Sequence, residues 1–387
     1  MFTFVYSNPV KIIFGLKVLE RVGEEAKALG TRALIVVSRG GSMERYGYLK
    51  RVITSLEENG VSTVVFREVL TNPPIEVIDR GAEVAAEEKC DLIIGLGGGS
   101  SIDTAKVISI LAVNRGSAKD VLEWKLKPKK ALPLIAIPTT HGTGTEVDRY
   151  AVLSDYKDKV KKGFASRYIY PKVALLDPEL TVTLPPRLSA ATTVDALAHA
   201  LEAYVSRDTN ALARLYASEA IRVIAEYGPL VLCNPRDVEV RTKLLWASMM
   251  AGFAIDISRT ALGHAMEHAV SALYPQIHHG EGLAVILPVW AEYTYKAAKE
   301  AFAEIAVLLG EKTEKLSVDE AAQRGVKALA DLIFRLRLET SFGKMGVKED
   351  DVEILADIAF KHQYYNIEKN PCVPSREELK RLFLKCI

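Results

Sequence analysis

Short apolar runs rich in β-branched residues alternate with helical patterns over the first half of the chain, and this alternation limits the folds it can adopt. We predict strands at 33–37, 61–66, 91–96 and 134–137, and helices at 49–59, 75–89 and 102–113. Strands that alternate with helices favour parallel pairing, with helices on both faces of the sheet. The sequence therefore predicts an α/β domain built on a parallel sheet.

The pattern changes at Leu184-Pro-Pro186. Long segments of helical period follow, and strand signals nearly vanish; the predicted helices are 189–206, 211–227, 238–253, 291–309 and 318–335. Twin prolines disfavour continuous secondary structure and mark a natural boundary. We therefore predict an α/β domain over residues 1–184 and an all-helical domain over residues 185–387.

The composition narrows the class of protein. The 50 basic and 49 acidic residues leave a net charge of +1, which argues against a nucleic-acid partner. No apolar segment is long enough to cross a bilayer and the N-terminus lacks a signal peptide, so we expect no membrane partner. The four cysteines are widely spaced, which indicates a cytoplasmic protein. Three glutamines among many charged residues are typical of a thermophile.

Two loops rich in small residues follow predicted strands. The first, Gly97-Gly-Gly-Ser-Ser-Ile-Asp-Thr-Ala-Lys106, leads into a helix, whose N-terminal amides favour pyrophosphate. It does not fit the Gly-x-Gly-x-x-Gly fingerprint, and a tight turn with a serine N-cap is the alternative. The second, Pro138-Thr-Thr-His-Gly-Thr-Gly-Thr-Glu146, follows the carboxyl end of a strand, where ligands bind in open α/β sheets. A plain turn is the alternative there.

Histidines and acidic residues recur in the helical half with spacings that suit a metal ion. Asp195 and His199 are four residues apart, as are His264 and His268, so each pair shares a helix face. Two adjacent histidines follow Pro275, in a loop that can return one of them to that face. One carboxylate with three imidazoles suits Fe²⁺ or Zn²⁺ and is poor for Ca²⁺ or Mg²⁺. For any single histidine, a structural role is an equally good interpretation.

These segments resemble the iron-containing alcohol dehydrogenase family. The resemblance is carried by both loops, by Asp195-Ala-Leu-Ala-His-Ala-Leu-Glu-Ala-Tyr-Val-Ser206 and by the histidine stretch, and it runs from Pro9-Val-Lys-Ile-Ile-Phe-Gly15 to Asn370-Pro-Cys-Val-Pro-Ser-Arg-Glu-Glu-Leu379. It implies a dehydroquinate synthase-like architecture, with a Rossmann-like dinucleotide-binding domain and an all-α domain that binds metal and carries catalysis. It also implies an NAD(P)-dependent alcohol dehydrogenase or aldehyde reductase, in a homodimer or higher homo-oligomer. The hydride would pass between the nicotinamide and the carbon of an alcohol or aldehyde whose oxygen is bound to the metal.

The resemblance also implies where the cofactor binds. The family's nucleotide-contacting positions fall on Asn72, Gly97, Gly98, Gly99, Ser100, Asp103, Thr139, Thr140, Thr143 and Lys162. Many members carry an acidic residue after the first Rossmann-like strand, whereas this chain has Ser38 and Arg39. A carboxylate would repel a 2′-phosphate and an arginine can pair with it, so we predict NADP(H) in preference to NAD(H). A solvated Arg39 is the alternative.

By the same resemblance, the metal ligands are Asp195, His199, His264 and His279, with Fe²⁺ as the expected ion and Zn²⁺ as the alternative. Family members have one histidine before the glycine that corresponds to Gly280, and this chain has two. Register with Gly280 favours His279, whereas the spacing from His264 favours His278; we predict His279.

Two further histidines have open roles. His268, one turn beyond His264, is our candidate for a catalytic proton relay or a contact to the substrate hydroxyl. Support of the metal ligands is the alternative role for His268. His141 stands where the family commonly has alanine, and it either lines the active site or fills space in the loop.

Other functions compete with the alcohol dehydrogenase. A zinc-dependent polyol dehydrogenase of the glycerol type, or a lyase like dehydroquinate synthase, would keep the architecture and change the chemistry. A non-catalytic nucleotide-binding or scaffold protein should have lost some of the ligands, and none is missing here. The complete ligand set and the form of the first loop favour an alcohol dehydrogenase or aldehyde reductase.

Overall fold

The computed structural model describes residues 3–387, which divide into two compact units. The sheet unit comprises residues 7–140 and 145–183. The helical unit comprises residues 184–387 together with 3–6 and the short segment 141–144. Neither unit is therefore one continuous stretch of chain.

The sheet unit contains strands and helices in alternation. In chain order they are β1 (Lys11–Phe14), α1 (Val22–Lys27), β2 (Arg32–Ser38), α2 (Ser42–Arg45), α3 (Tyr48–Glu58), β3 (Ser62–Val69), α4 (Ile75–Glu87), β4 (Leu92–Gly97), α5 (Gly99–Leu111), α6 (Ala118–Leu122), β5 (Leu134–Pro138), β6 (Tyr150–Asp155), β7 (Val160–Ala165) and β8 (Val173–Leu176). Short 3-10 turns lie at Val18–Arg21, Thr145–Val147, Arg167–Ile169 and Pro178–Thr181.

Six strands form one parallel sheet in the order β1-β8-β5-β4-β2-β3, and β6 pairs with β7 in a separate antiparallel sheet. Alternate residues of β2 enter two apolar clusters, with Leu34 and Val36 in one and Ala33, Ile35 and Val37 in the other. The first cluster includes residues of α4 and α5, and the second includes residues of α1 and α3. Burial on both faces explains the continuous apolar runs of the interior strands. The predicted parallel α/β fold is confirmed.

The order of the strands places a ligand-binding position next to β2. From β2 the chain moves outward to β3, then returns to β4 on the other side of β2 and continues outward to β5. The carboxyl ends of β2 and β4 therefore lie side by side where their connections diverge. Ligands of open α/β sheets bind at such a point.

The helical unit consists of helices and 3-10 turns. The helices are α7 (Pro186–Val205), α8 (Ala211–Tyr227), α9 (Leu230–Cys233), α10 (Val238–Ser258), α11 (Leu262–Leu273), α12 (His279–Thr294), α13 (Lys299–Leu308), α14 (Val318–Arg335), α15 (Val352–His362), α16 (Tyr364–Ile367) and α17 (Arg376–Cys386). The 3-10 turns are Tyr295–Ala297, Gly343–Met345 and Glu349–Asp351. None of the helices within residues 3–387 is long and apolar enough to cross a membrane.

Some boundaries differ from the sequence predictions. The helix predicted from residue 102 begins at Gly99, because Gly98 adopts the extended N-cap conformation. The single helix predicted over 291–309 is wrong, since α12 ends at Thr294 and α13 begins at Lys299. Asn370, from much later in the chain, donates a hydrogen bond at 3.1 Å to Oγ1 of Thr294, the last residue of α12. Strands β1, β6, β7 and β8 were not predicted.

Candidate metal centre and cofactor loops

Three helices bring the four predicted metal ligands together in the helical unit. Helix α7 presents Asp195 and His199 one turn apart, with His199 Nδ1 3.5 Å from Asp195 Oδ1. From α11, His264 Nε2 lies 3.8 Å from the same carboxylate oxygen. The first residue of α12, His279, places its Nε2 3.5 Å from it. One carboxylate oxygen therefore faces all three imidazoles.

The donor set fits a divalent transition-metal ion. Within residues 3–387, Asp195 Oδ1 and His264 Nε2 are buried atoms without a hydrogen-bond partner. Leaving such atoms unpaired is costly, and a bound cation would satisfy both. Ligand atoms of Asp195, His199 and His264 all lie within 4.8 Å of one another. A carboxylate with imidazoles at this spacing suits Fe²⁺ or Zn²⁺.

The electrostatics of the cluster favour an ionised Asp195. Burial disfavours its charged form, but the imidazoles of His199 and His279 outweigh that cost and hold the pKa of the carboxyl below its usual range. Burial lowers the pKa of His199 to about 4. Burial also acts against protonation of His264, yet the neighbouring Glu202 raises its pKa to about 9. A metal ion must displace the proton of His264 before it can bind there.

A glycine sets the position of His279. A Cβ atom at Gly280 would lie 1.9 Å from the carbonyl oxygen of Ala191 on α7, so only glycine allows α12 to begin this close to α7. The close approach places the first residue of α12 beside Asp195. His278, the other candidate, is the N-cap residue that precedes α12.

His268 and His141 have different surroundings. His268 is buried beside the cluster, with its ring 5.5 Å from that of His279 and its Nδ1 3.4 Å from Gln363 Oε1. His141 is fully buried, with Nε2 3.1 Å from Thr193 Oγ1 and 3.3 Å from the carbonyl of Ser189. Burial lowers the pKa of His141 to about 3, so it is neutral in the folded chain.

Three buried polar side chains that touch these histidines were not singled out from the sequence: Glu202, Glu267 and Gln363. Glu202 Oε2 lies 2.5 Å from His264 Nδ1, and Glu267 Oε2 contacts His279 Nδ1. A signal for both was present, since Glu202 follows His199 by three residues and Glu267 follows His264 by three. The spacing thus places each glutamate on a helix face with a predicted ligand, whereas its contact is to a histidine of another helix.

In the sheet unit, several predicted cofactor residues lie at carboxyl ends of strands. Gly97 ends β4 with a φ of 150°, a backbone conformation that favours glycine. Helix α5 then begins at Gly99 without a side-chain cap, which leaves its first amides available to an anion. The backbone N–H of Thr139 donates to the Gly97 carbonyl at 2.9 Å. The two loops, which include Gly98, Ser100 and Thr140, therefore lie side by side.

Two other strand ends flank these loops. At the end of β2, Ser38 Oγ is 3.4 Å from Ser42 Oγ, and Arg39 is exposed. After β3, Asn72 is buried in a left-handed conformation with a φ of 50°, and its carbonyl accepts a hydrogen bond from Tyr156 at 2.5 Å. These positions surround the point where the connections from β2 and β4 diverge.

Three predicted cofactor residues have other settings. The carboxylate of Asp103 accepts hydrogen bonds from Thr145 Oγ1 at 2.6 Å and from the Val152 amide at 2.9 Å. Thr143 belongs to the helical unit. Lys162 lies on β7, with its ammonium 5.3 Å from the centre of the Trp124 ring, and burial lowers its pKa.

Lys106, part of the pattern that suggested phosphate binding, is fully buried. Its ammonium forms an ion pair with Asp148 at 2.7 Å and donates to Thr145 Oγ1 at 2.8 Å and to the carbonyl of Tyr150 at 2.6 Å. The role of Lys106 in the structure is to join α5 to the 3-10 turn at Thr145–Val147 and to β6.

Sequence comparisons cover both units. Residues 9–178 match the family described as iron-containing alcohol dehydrogenase, and residues 189–387 match the C-terminal region of the Fe-containing alcohol dehydrogenase family. The chain belongs to the iron-containing alcohol dehydrogenase family. The predicted family and the predicted class of function, a metal-dependent alcohol dehydrogenase, are confirmed.

Relatives within the iron-containing alcohol dehydrogenase family match along most or nearly all of their length. A 1,3-propanediol dehydrogenase of Citrobacter freundii is 35% identical over 381 residues, which cover 98% of each chain. An NAD-dependent methanol dehydrogenase of Bacillus methanolicus is 33% identical over 374 residues, 97% of each chain. Among solved structures, an archaeal halo-thermophilic alcohol dehydrogenase from a Red Sea brine pool superposes with a TM-score of 0.96 at 34% identity, over 100% of both chains.

Proposed function

We propose that Asp195, His199, His264 and His279 hold an Fe²⁺ ion, and that the enzyme interconverts small alcohols and aldehydes. The observation that carries this proposal is the pair of buried atoms, Asp195 Oδ1 and His264 Nε2, that have no hydrogen-bond partner within residues 3–387. Zn²⁺ is the alternative ion, because carboxylate and imidazole ligands accept both. In functional terms, we propose dinucleotide binding for residues 1–184 and metal binding and catalysis for residues 185–387.

When bound, the metal ion supplies Lewis-acid stabilisation of the negative charge that develops on the substrate oxygen as hydride leaves carbon. The chain contributes orientation and a proton path. His199 Nδ1 lies 3.3 Å from the carbonyl of Gly142, and an N–H donated there leaves Nε2 of that ring for the metal. We assign the proton relay to His268, whose Nδ1 faces Gln363 Oε1, so that Nε2 is the basic atom that takes the hydroxyl proton.

We propose that the pyrophosphate of the cofactor binds at the N-terminus of α5, against the amides of Gly99 and Ser100. The extended Gly98 and the missing side-chain cap of α5 support this position, because they leave the first amides of the helix available to an anion, and Thr139 lies beside them. The residues proposed to complete the cofactor site are Ser38, Arg39, Asn72, Gly97, Asp103, Thr143 and Lys162.

We propose that the cofactor is NADP(H) in preference to NAD(H). Neither Ser38, which ends β2, nor Arg39, which follows it, is acidic, and the exposed Arg39 can pair with a 2′-phosphate. Measurement of kcat/KM for NADPH and NADH with the same aldehyde tests this preference. A higher kcat/KM with NADH would refute it and would match the NAD dependence named for the methanol dehydrogenase relative.

We further propose a homodimer or higher homo-oligomer in the cytoplasm of a thermophile. The four cysteines are all free thiols, and charged residues greatly outnumber amides that degrade on heating. Light scattering of the purified protein measures the oligomeric state, and a monomer would contradict the proposal.

The substrate and the metal are tested together. After anaerobic purification, metal analysis should find iron, and a panel of aldehydes should show which ones drive oxidation of NADPH. Zinc as the only metal, with activity confined to polyols such as glycerol, would overturn the assignment to a simple alcohol dehydrogenase. That outcome would favour a polyol dehydrogenase of the same fold.

A further inference from the structure

Two of the proposed metal ligands have a buried carboxylate on the ring nitrogen that faces away from Asp195. His264 Nδ1 lies 2.5 Å from Glu202 Oε2, and His279 Nδ1 contacts Glu267 Oε2. The opposite nitrogens, His264 Nε2 and His279 Nε2, lie 3.8 Å and 3.5 Å from Asp195 Oδ1. Both glutamates are fully buried. The same arrangement of carboxylate, imidazole and Asp195 therefore occurs twice, on different helices.

Glu202 is held in place by the start of α11. Its Oε1 accepts a hydrogen bond from the backbone N–H of Gly263 at 2.5 Å, and its Oε2 lies 3.3 Å from the N–H of His264. Helix α11 has no side-chain cap of its own at Ala261. The carboxylate of Glu202 thus caps α11 from a neighbouring helix, where the helix dipole favours a negative charge. A carboxylate fixed in this way is a firm acceptor for the Nδ1–H of His264.

Glu267 is held by a side chain instead of by backbone amides. Ser271, one turn further along α11, donates its hydroxyl hydrogen to Glu267 Oε1. This hydrogen bond leaves Glu267 Oε2 directed at His279 Nδ1. The two glutamates therefore reach similar positions by different means, and Glu267 can be changed without removing the cap of α11.

We propose that Glu202 and Glu267 are positioning residues for the metal centre. Each accepts the Nδ1–H of one histidine, which fixes the tautomer and the ring orientation so that Nε2 is the ligand atom. This inference rests on the proposed ligand set and extends it to two residues outside that set. Loss of such an outer contact weakens metal binding by about 10–100-fold in comparable sites.

The test measures metal binding directly, without reliance on enzyme activity. Metal-free wild-type protein and the variants Glu267→Gln and Glu202→Gln are titrated with Co²⁺, whose visible absorption reports the dissociation constant and the stoichiometry. We expect one ion per chain, bound about 10–100-fold more weakly by each variant. The matched control is Glu281→Gln on α12, a buried glutamate that pairs with Arg187, and its affinity should stay at the wild-type value.

A double variant separates positioning from direct ligation. If Glu267 acts through His279, the change Glu267→Gln should cause no further loss of affinity in a His279→Ala background. Additive losses would overturn the inference. So would a second bound ion that disappears in Glu267→Gln, because Glu267 would then be a ligand.

Two further controls keep the outcome clear. Thermal unfolding of the metal-free proteins shows whether a variant is folded; Glu202→Gln is expected to be less stable because it weakens the cap of α11, whereas Glu267→Gln is not. Unchanged affinity in a folded Glu267→Gln protein would overturn the positioning role while leaving the ligand set intact. Unchanged affinity in His264→Ala and His279→Ala would instead refute the ligand set itself.

Discussion

We predict that the buried His141 makes the free energy of unfolding fall as the pH decreases, and that His141→Gln removes this contribution. Burial, followed by the nearby guanidinium of Arg241, lowers the pKa of His141 to about 3 in the folded chain, against an ordinary value of 6.5. The unfolded chain takes up a proton below its own pKa, whereas the folded chain excludes that proton until the pH approaches the lowered value. Stability is therefore fully present above the unfolded pKa and is lost as the pH falls.

The size of the effect follows from proton linkage. At a pH below the unfolded pKa of about 6.5, each further unit of pH costs up to about 1.4 kcal/mol. Integration gives a loss of about 2 kcal/mol between neutral pH and pH 5, and about 3 kcal/mol by pH 4. The full value applies because His141 is completely buried and solvent does not screen it.

Denaturant unfolding of metal-free wild type and His141→Gln at several pH values measures this loss. Glutamine retains polar atoms that can reach Thr193 and Ser189 but does not titrate. The other histidines titrate in both proteins, so the difference between the two stabilities isolates His141. Between pH 7.5 and pH 5, the free energy of unfolding of wild type should fall by about 2 kcal/mol more than that of His141→Gln. A difference that stays constant across this range would refute the reasoning.

Three further predictions concern the cofactor, the metal centre and the core. Arg39→Asp should lower kcat/KM for NADPH by about 10-fold or more, since a charged hydrogen bond of about 1.5–3 kcal/mol is lost; an equal effect on NADH would contradict this. Gly280→Ala should weaken Co²⁺ binding because α12 must shift, whereas Gly40→Ala, with nothing within 4 Å of the added Cβ, should not. Lys106→Met should destabilise the fold by about 3–5 kcal/mol in denaturant unfolding, because it removes the buried ammonium that faces the Asp148 carboxylate; a loss below about 1 kcal/mol, as for an exposed ion pair, would contradict this reasoning.

In the six-stranded sheet, the interior strands β2, β4 and β5 and the edge strand β3 were predictable from the sequence, whereas the edge strand β1 and its neighbour β8 were not. Strands β2, β4 and β5 are buried on both faces, which produces apolar runs that stand out in any short window. Strand β1 is a four-residue edge strand in which only Ile13 is buried, and it pairs with β8, another four-residue strand, from the other end of the unit. Such a pairing is non-local, so a local pattern contains little information about it.

The helix faces that carry the metal ligands were predictable from the sequence, but the packing that brings those helices together was not. The spacing of four residues indicated that Asp195 and His199 share a face of one helix. The meeting of α7, α11 and α12 depends on packing, such as the approach of Gly280 to a backbone carbonyl of α7. For the same reason, the spacing of Glu202 from His199 was visible in the sequence but its contacts were not, because they depend on where α11 begins in space.

The segment 141–144 has a consequence for exchanging parts between related enzymes. The carbonyl of Gly142 lies 3.3 Å from the Nδ1 of His199, although residues 145–183 of the sheet unit separate the two in the sequence. A chimera joined only at residue 184 would thus combine a metal-binding half from one parent with a supporting tetrapeptide from the other. A chimera that preserves the metal centre must therefore take residues 141–144 and 184–387 from the same parent. The gene segments that encode this site are not contiguous.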